Sequence, residues 1–550
     1  MFSYRELIQT LTITTLFIGL FFQSSSEACT SILVTKGAST NNSCMITYAA
    51  DSSGYFAKLA IIEASDGSKR PKGGSPFIAE GEQTYKVFGF YADYHKYEFQ
   101  GIMNEYQVAI SETTFEGRPE LQNKVGKLYY QDLMTIALQR SKTAREAIRV
   151  MNSAIEEFGY IDVGESISIC DKNEAWVFEI IGTGSLTEKE NNGAIWVARR
   201  VPDGQISAHA NQARIGQFNQ NDPENCLYSA NIESFAIKQG FYDPNSGIPF
   251  SFADAYGAID NGSKRYCEKR VWSIYRRVAP SQNFSDDYAQ GVPNAPNYPW
   301  SIVPDEKLSV ADVMALMRDH FDGTPYDMTK GIDAGEFGTP RRNRPLAWTF
   351  EGQKYAWERP ISTQQTCFTM ITQSRETLPD EIGALVWFGW DDSYSSCYFP
   401  LYVFADKLPP SCCIGSIDHF NMESAWWAFN FVANYAYPRY SQIIPDILSV
   451  QKELESQMLE LQPVIEKTAL ELYSSNKPLM QTYLTDYSVA QAEKVHSRWK
   501  QLAHDLVVKF NDGFIRAADG TYPNIGYPDE WMKRVVEEKG EQFLIPEEPE

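Results

Sequence analysis

The stretch Ser24–Ser39, SSSEACTSILVTKGAS, sets a cysteine between a greasy leader and a run that reads as a β-strand. Upstream, Arg5 supplies a positive n-region, Leu7 to Phe22 an apolar run, and Ser26-Glu27-Ala28 a small-x-small cleavage site. The apolar run of about 16 residues is short for a membrane span. Residues 1–28 therefore read as a signal peptide. Its removal predicts an exported chain, secreted or periplasmic or lumenal, that begins at Cys29 and has no membrane partner thereafter.

Three uses compete for Cys29. A lipid-anchored surface binding protein would acylate it: Ala28 suits that, but Ser26 stands where a Leu-like residue is expected, and Thr30–Thr35 continues as strand rather than tether. A structural use would pair or bury the thiol as a small hydrophobe. A catalytic use would make it a nucleophile served by its own α-amine. That amine has a reference pKa of roughly 7.7–8.0 and a thiol about 8.5, so the amine accepts the thiol proton near neutral pH without a histidine. The same ammonium then protonates the leaving amine. This chemistry requires the nucleophile to be residue one, which export processing supplies.

The chain has 550 residues, 43% hydrophobic and 22% charged, enough for a large core and against disorder. A formal net charge of −22 disfavours nucleic acid and anionic membrane surfaces as partners. Nine cysteines in an exported chain invite disulfides: with Cys29 aside, some pairs are expected among Cys44, Cys170, Cys226, Cys267, Cys367, Cys397, Cys412 and Cys413, with connectivity unread. None has zinc-ligand spacing.

The first half reads as strands. TSILVTKG (Thr30–Gly37) carries Ile32 and Val34 in alternation with Leu33 between them, the mark of a strand buried on both faces. The run Lys86–Gly117 gives two or three strands with a turn at Asn104-Glu105. ESISICDKNEAWVFEIIG (Glu165–Gly182) is a hairpin about Asp171-Lys172-Asn173, and Ala194–Gly216 repeats the device about Pro202-Asp203-Gly204. Between them Thr143 and Glu146 form a capping box, and Ile148, Met151, Ile155 and Phe158 make a helical stripe that Gly159 stops. Strands, helices and hairpins in this order predict antiparallel sheets with helices packed on them, an α+β layered fold. Residues 215–350 read as long loops over short helices. After Pro438 the chain turns helical, with stripes Val450, Leu454, Met458, Leu461 and Val495, Trp499, Leu502, Leu506, and a solvated acidic tail after Glu537. The expected organisation is a signal peptide (1–28), one catalytic domain with long loops (29–440) and a helical region packed on it (441–550).

Collinear motifs then carry a resemblance. CTSILVTKGASTNNSCMITYAADSSG, GIMNEYQVAISETT, ISAHANQARIG, GTPYDMTKGIDAGEFGTPRRNRPLAW, WERPIS and TLPDEIGALVWFGWDDSYSSCYFPLY together resemble the N-terminal-nucleophile cysteine dipeptidases, the bacterial dipeptidase A and secernin relatives, distant cousins of penicillin V acylases and bile salt hydrolases. The likeness runs from Cys29 to about Phe510. It implies a four-layer αββα sandwich of Ntn-hydrolase type with helical C-terminal additions, and a peptidase of dipeptides or short peptides that needs no cofactor and no metal. It further implies Cys29 as nucleophile, Asp51 as the carboxylate that holds the α-amine, Asn211 as an oxyanion-side amide worth a few kcal/mol, and Arg359 as an arginine near the nucleophile. An amidase acting on N-acyl substrates is the alternative enzyme. Where relatives carry Arg-Asn-Glu before the aspartate, this chain has Tyr48-Ala49-Ala50, so a cation at that position is missing.

Of the six histidines, His95, His209, His320, His419, His496 and His504, none lies in a metal-ligand spacing such as HExxH. His209, two residues before Asn211, reads either as a lining residue that contacts substrate or as a satisfied strand residue. Asn104-Glu105 likewise divides between turn-making and substrate contact, and so does Glu112 in ISETT. Small peptides are the expected partners, and the oligomeric state stays open, a homo-oligomer included.

Overall fold

The computed structural model describes residues 29–548 except 53, 93–98, 124, 185–192 and 258. The leader read over 1–28 and His95 lie outside the described residues. Two large antiparallel sheets organise a mixed α/β fold. Sheet II has eight strands, in the spatial order Cys226–Tyr228, Ala194–Val201, Ala175–Gly182, Gly164–Cys170, Ala109–Phe115, Phe99–Asn104, Val87–Ala92, Ala57–Ile62. Side chains alternate across a strand, and here both faces are apolar. Along Ala175–Gly182, Ala175, Val177 and Ile181 enter the larger apolar core. Trp176, Phe178 and Ile180 enter a second core, completed by Leu133, Met134 and Ile136 of helix Tyr130–Arg140 and Ile148 and Met151 of helix Ala144–Phe158. The second helix begins at the expected cap with half of the expected box: Thr143 Oγ1 accepts from Glu146 N at 3.2 Å, while the Glu146 carboxylate accepts from Lys142 N instead of Thr143 N, and Gly159 ends the helix at φ 75°.

Sheet I has six strands, in the order Ile206–His209, Ser31–Val34, Ser43–Asp51, Thr366–Arg375, Leu385–Trp390, Phe399–Tyr402. The expected hairpin about Pro202-Asp203-Gly204 does not form. Ala194–Val201 stays in sheet II while Ile206–His209 crosses to sheet I and pairs with Ser31–Val34, Ser31 opposite His209. The turn is captured from the other sheet: Gly37 N donates to Asp203 Oδ1 at 2.7 Å, and Thr35 N to Gln205 O at 3.3 Å. A Cβ at Gly37 would meet Gly204 N at 2.7 Å, so the approach needs glycine there. A second clasp joins the sheets at Gln107, in the turn between two sheet II strands. Its side chain accepts from Arg375 N at 2.6 Å and donates to Arg375 O at 3.3 Å.

Helices Val310–Met317, Ala425–Ala436 and Lys477–Lys509 contact sheet I. The loop-rich reading of 215–350 missed an 18-residue helix, Asn261–Val278, capped by Asp260 and running against the end of Ile206–His209. Its many charges hid it, although Cys267, Val271, Ile274 and Val278 keep a buried stripe. The C-terminal stripes lie on a pair of long helices, Tyr440–Ser475 and Lys477–Lys509. Val450, Leu454 and Met458 are buried there but Leu461 is exposed, and the tail forms an exposed helix, Asp529–Phe543. Among the described residues no helix is long and apolar enough to cross a membrane.

Candidate active site

Cys29 stands at the mouth of sheet I. Thr30 pairs with Ala49 (N to O 3.3 Å, returning 3.1 Å), which fixes Cys29 beside the end of the strand that carries Asp51. The antiparallel register of Ser31 with His209 brings the residues after His209, Ala210 and Asn211, alongside it. Only 5% of Cys29 is exposed.

Arg270 ties these strand ends together. It projects from helix Asn261–Val278 and is fully buried. Its guanidinium donates to Cys29 O (2.7 Å), Thr30 Oγ1 (2.9 Å), Ala210 O (3.1 Å) and Asn211 Oδ1 (2.9 Å). Burial, and then the nearby Arg359 cation, pull it down to about 10. The sequence reading missed it. The available signal was an arginine in phase with the apolar stripe of that helix, where a lone charge needs buried acceptors.

Asp51 is buried and accepts from Arg359 Nη2 at 2.9 Å and Thr366 Oγ1 at 2.6 Å. Burial raises its carboxyl above the usual range, against the lowering effect of the Arg359 charge. Asn211, at φ 64°, donates through Nδ2 to Thr114 O at 2.8 Å, so its amide is clamped at both ends. Cys29, Asp51, Asn211 and Arg359 thus converge around Arg270.

The other residues singled out serve the scaffold. Asn104 donates to Leu138 O and Ser141 O and accepts from Tyr106 N and Val108 N, so the turn takes both ends of its amide. His209 lies between sheets, with Nδ1 at 2.7 Å from Thr113 Oγ1 and Nε2 at 2.7 Å from Ser168 Oγ. Burial, then the Arg214 charge, draws it down to about 3, which makes it a neutral strand residue. The thiols of Cys44, Cys170, Cys226, Cys267, Cys397, Cys412 and Cys413 are free, against the disulfides expected among them. Burial explains their placement: Cys170, for one, is pushed up to about 12 inside the sheet. No cluster of histidine, cysteine and carboxylate able to hold a metal occurs among the described residues.

Glu112 is the residue whose role was left divided. It comes to Cys29, whose Sγ donates to Glu112 Oε1 at 3.7 Å. The phenol of Tyr48 donates to the same oxygen. Strands Phe99–Asn104 and Ala109–Phe115 pair only at Met103–Ala109, so Glu112 lies beyond the paired part of that edge. Buried Glu165 hydrogen-bonds to Glu112 and accepts from Thr114 Oγ1 at 2.8 Å. Burial, then the charge of Glu112, pushes Glu165 well above the carboxylate range.

A match to peptidase family C69 spans residues 89–453. The chain belongs to that family. The match holds Asn104, Glu112, Asn211, Arg270 and Arg359, while Cys29 and Asp51 precede it. The chain is similar to a probable dipeptidase A of Streptococcus pyogenes serotype M3 (strain SSI-1), 25% identical over 435 residues, covering 76% of this chain and 85% of that protein. A probable dipeptidase of Latilactobacillus sakei is 25% identical over 452 residues, 78% and 85% of the two chains. One from Salmonella dublin is 26% identical over 388 residues, 68% and 81%. This family-C69 chain is a peptidase, a hydrolase of peptide bonds.

Proposed function

We propose that this family-C69 chain is an exported dipeptidase whose nucleophile is Cys29, exposed as residue one when the leader is cut. The frame would be the four-layer αββα sandwich of N-terminal-nucleophile hydrolases, with the helices on sheet II and those on sheet I as outer layers. The observation that carries the reading is the gathering of Asp51, Asn211, Arg359 and buried Arg270 around a cysteine that opens the first strand. The dipeptidase relatives supply the substrate class.

In this mechanism the thiol proton moves to the α-amine and Sγ attacks the peptide carbonyl. The carbonyl π electrons move to oxygen, which would accept from the second Nδ2–H of Asn211, the one not given to Thr114 O. As the tetrahedral adduct collapses, the C–N bond breaks and the ammonium protonates the leaving amine, leaving a thioester. Water, deprotonated by the same amine, releases the acid and restores the thiol. Asp51 orients the amine, while Arg270 holds the Cys29 carbonyl and so fixes the backbone from which both reacting groups project. No step calls for a metal or cofactor.

The test is a protein with an unremovable Gly-Ser in front of Cys29. That turns the α-amine into an amide of no useful basicity, with the thiol unchanged. General-base loss typically lowers the rate by on the order of 10²–10⁴, and trimming back to Cys29 should restore it. An extended protein, uncleaved by intact mass, that turns over dipeptides at the mature rate would overturn the mechanism.

A further inference from the structure

We propose that Glu112 is the receptor for the free α-ammonium of the substrate, and that it thereby selects peptides with an unblocked N-terminus over N-acyl amides. The proposal rests on Cys29 as nucleophile and deepens that reading.

Geometry carries the argument. In a dipeptide the α-nitrogen lies roughly 2.5 Å from the scissile carbonyl carbon, as fixed by the N–Cα and Cα–C bonds and the angle between them. In a near-attack complex that carbon stands about 3–3.5 Å from Sγ. The ammonium must therefore sit within a few ångströms of the thiol, on the side of the carbonyl away from the leaving group. A charged N–H to carboxylate contact is about 2.7–2.9 Å long. Glu112 Oε1 is 3.7 Å from Sγ. The four atoms Sγ, carbonyl carbon, amine nitrogen and Oε1 thus close a ring with no side out of range.

The surroundings of Glu112 suit an anion held ready for such a ligand. Two carboxyls in hydrogen-bond contact do not both ionise, and the more deeply opposed one keeps the proton. Glu165 is that group: burial and Glu112 both favour its neutral form. A neutral Glu165 donates to Glu112, and the Tyr48 phenol donates from another direction. Tyr48 is itself oriented by Gln100, whose Nε2 lies 3.4 Å from the phenol oxygen. Cys29, Tyr55 and Tyr130 lie around Tyr48, and Tyr160 feels the charge of Glu112.

The experiment is a binding measurement in which turnover is blocked. On a Cys29→Ala background with its free N-terminus, calorimetry compares alanyl-alanine with propionyl-alanine, which lacks only the amine. A hydrogen bond to a charged group corresponds to roughly 10- to 10²-fold in affinity, so alanyl-alanine should bind tighter by that factor. Adding Glu112→Gln should erase the preference, and Glu112→Asp should weaken it. The aspartate variant also serves if the glutamine variant melts early. Equal affinities before the change overturn the proposal. So does a preference that survives in a Glu112→Gln protein of unchanged melting temperature, since the ammonium would then be held elsewhere, for example by Asp51. Turnover by the Cys29→Ala protein at the parent rate would instead sink the nucleophile reading and leave the binding result standing.

Discussion

Sheet II is a meander in which each strand lies beside its neighbour in sequence, apart from Cys226–Tyr228, which pairs with Ala194–Val201 after the crossing strand is left out. Sheet I is gathered from three separated parts of the chain, within Ser31–Asp51, Ile206–His209 and Thr366–Tyr402. Ser43–Asp51 pairs with Thr366–Arg375, where Ile46 N meets Thr372 Oγ1 across 326 residues, and Ser31–Val34 pairs with Ile206–His209. Closing such long loops carries an entropic penalty that hairpins escape. Every group of the proposed mechanism stands on or against sheet I, so the catalytic geometry depends on the contacts that hold distant segments together. A local hairpin re-forms by itself, but the meeting of Cys29, Asp51 and Asn211 does not.

Arg270→Ala should therefore give the largest effect on the fold. It removes the donors for Cys29 O, Ala210 O and Asn211 Oδ1 at once, all in the interior. Buried groups left unsatisfied cost about 1–3 kcal/mol each, so a loss of roughly 3–5 kcal/mol is expected in a denaturant titration. Lysine should not rescue it, because one ammonium cannot reproduce the fork that meets acceptors on two strands. A variant that unfolds with the parent would show that the six strands of sheet I assemble without this residue.

How much of this was legible follows the same division. The hairpin about Asp171, the turn at Asn104 and the helix opened by Thr143 were readable because their signals lie within a few residues. The crossing at Pro202-Asp203-Gly204 was not, since a turn sequence says that the chain reverses and not which sheet receives it. Cys29 was singled out by reading 1–28 as a leader and by the chemistry proposed for an N-terminal thiol, and Asp51, Asn211 and Arg359 entered through resemblance. What the structure adds is that Arg270 bonds Cys29 O and Asn211 Oδ1 while Arg359 bonds Asp51. Arg270 stayed hidden because its acceptors lie 60 and 241 residues away. Glu112 was noticed but undecided, for its meaning depends on a distance to Cys29.

His209 joins the two sheets and should give an intermediate, pH-dependent effect. Its imidazole is drawn down to about 3 in the fold, against about 6.5 for a solvated histidine. Below 6.5 the unfolded chain takes up a proton that the folded chain refuses, so stability is whole above that pH and declines as pH falls toward 3. The slope contributed is about 1.4 kcal/mol per pH unit. His209→Gln keeps a hydrogen-bonding side chain but has no proton to gain. It should be the less stable protein at pH 7.5 and close the gap by about 2 kcal/mol at pH 5. Glu179, raised to about 7 by burial, acts with the opposite sign, but in both proteins alike, so it cancels in the difference. Parallel stability–pH curves would mean that His209 is not buried in its neutral form.

The smallest effect is expected from the contact that most visibly spans the chain. Lys36, just after the first strand, reaches Glu376, just after Thr366–Arg375, with Nζ 3.2 Å from Oε2. The pair joins the two distant parts of sheet I, as Gln107 joins Arg375 to the turn of sheet II, but its side chains are 32% and 56% exposed. Water already solvates both charges, and ordering two long side chains offsets most of the Coulomb gain, so such pairs contribute about 0.2–1 kcal/mol. Lys36→Ala should lower the unfolding free energy from a denaturant titration by no more than that, and the loss should shrink further in added salt. Length of sequence spanned then has no bearing on the strength of a tie, and only burial does. A loss comparable to that of Arg270→Ala would reverse the argument and place the closure of sheet I at its solvated edge.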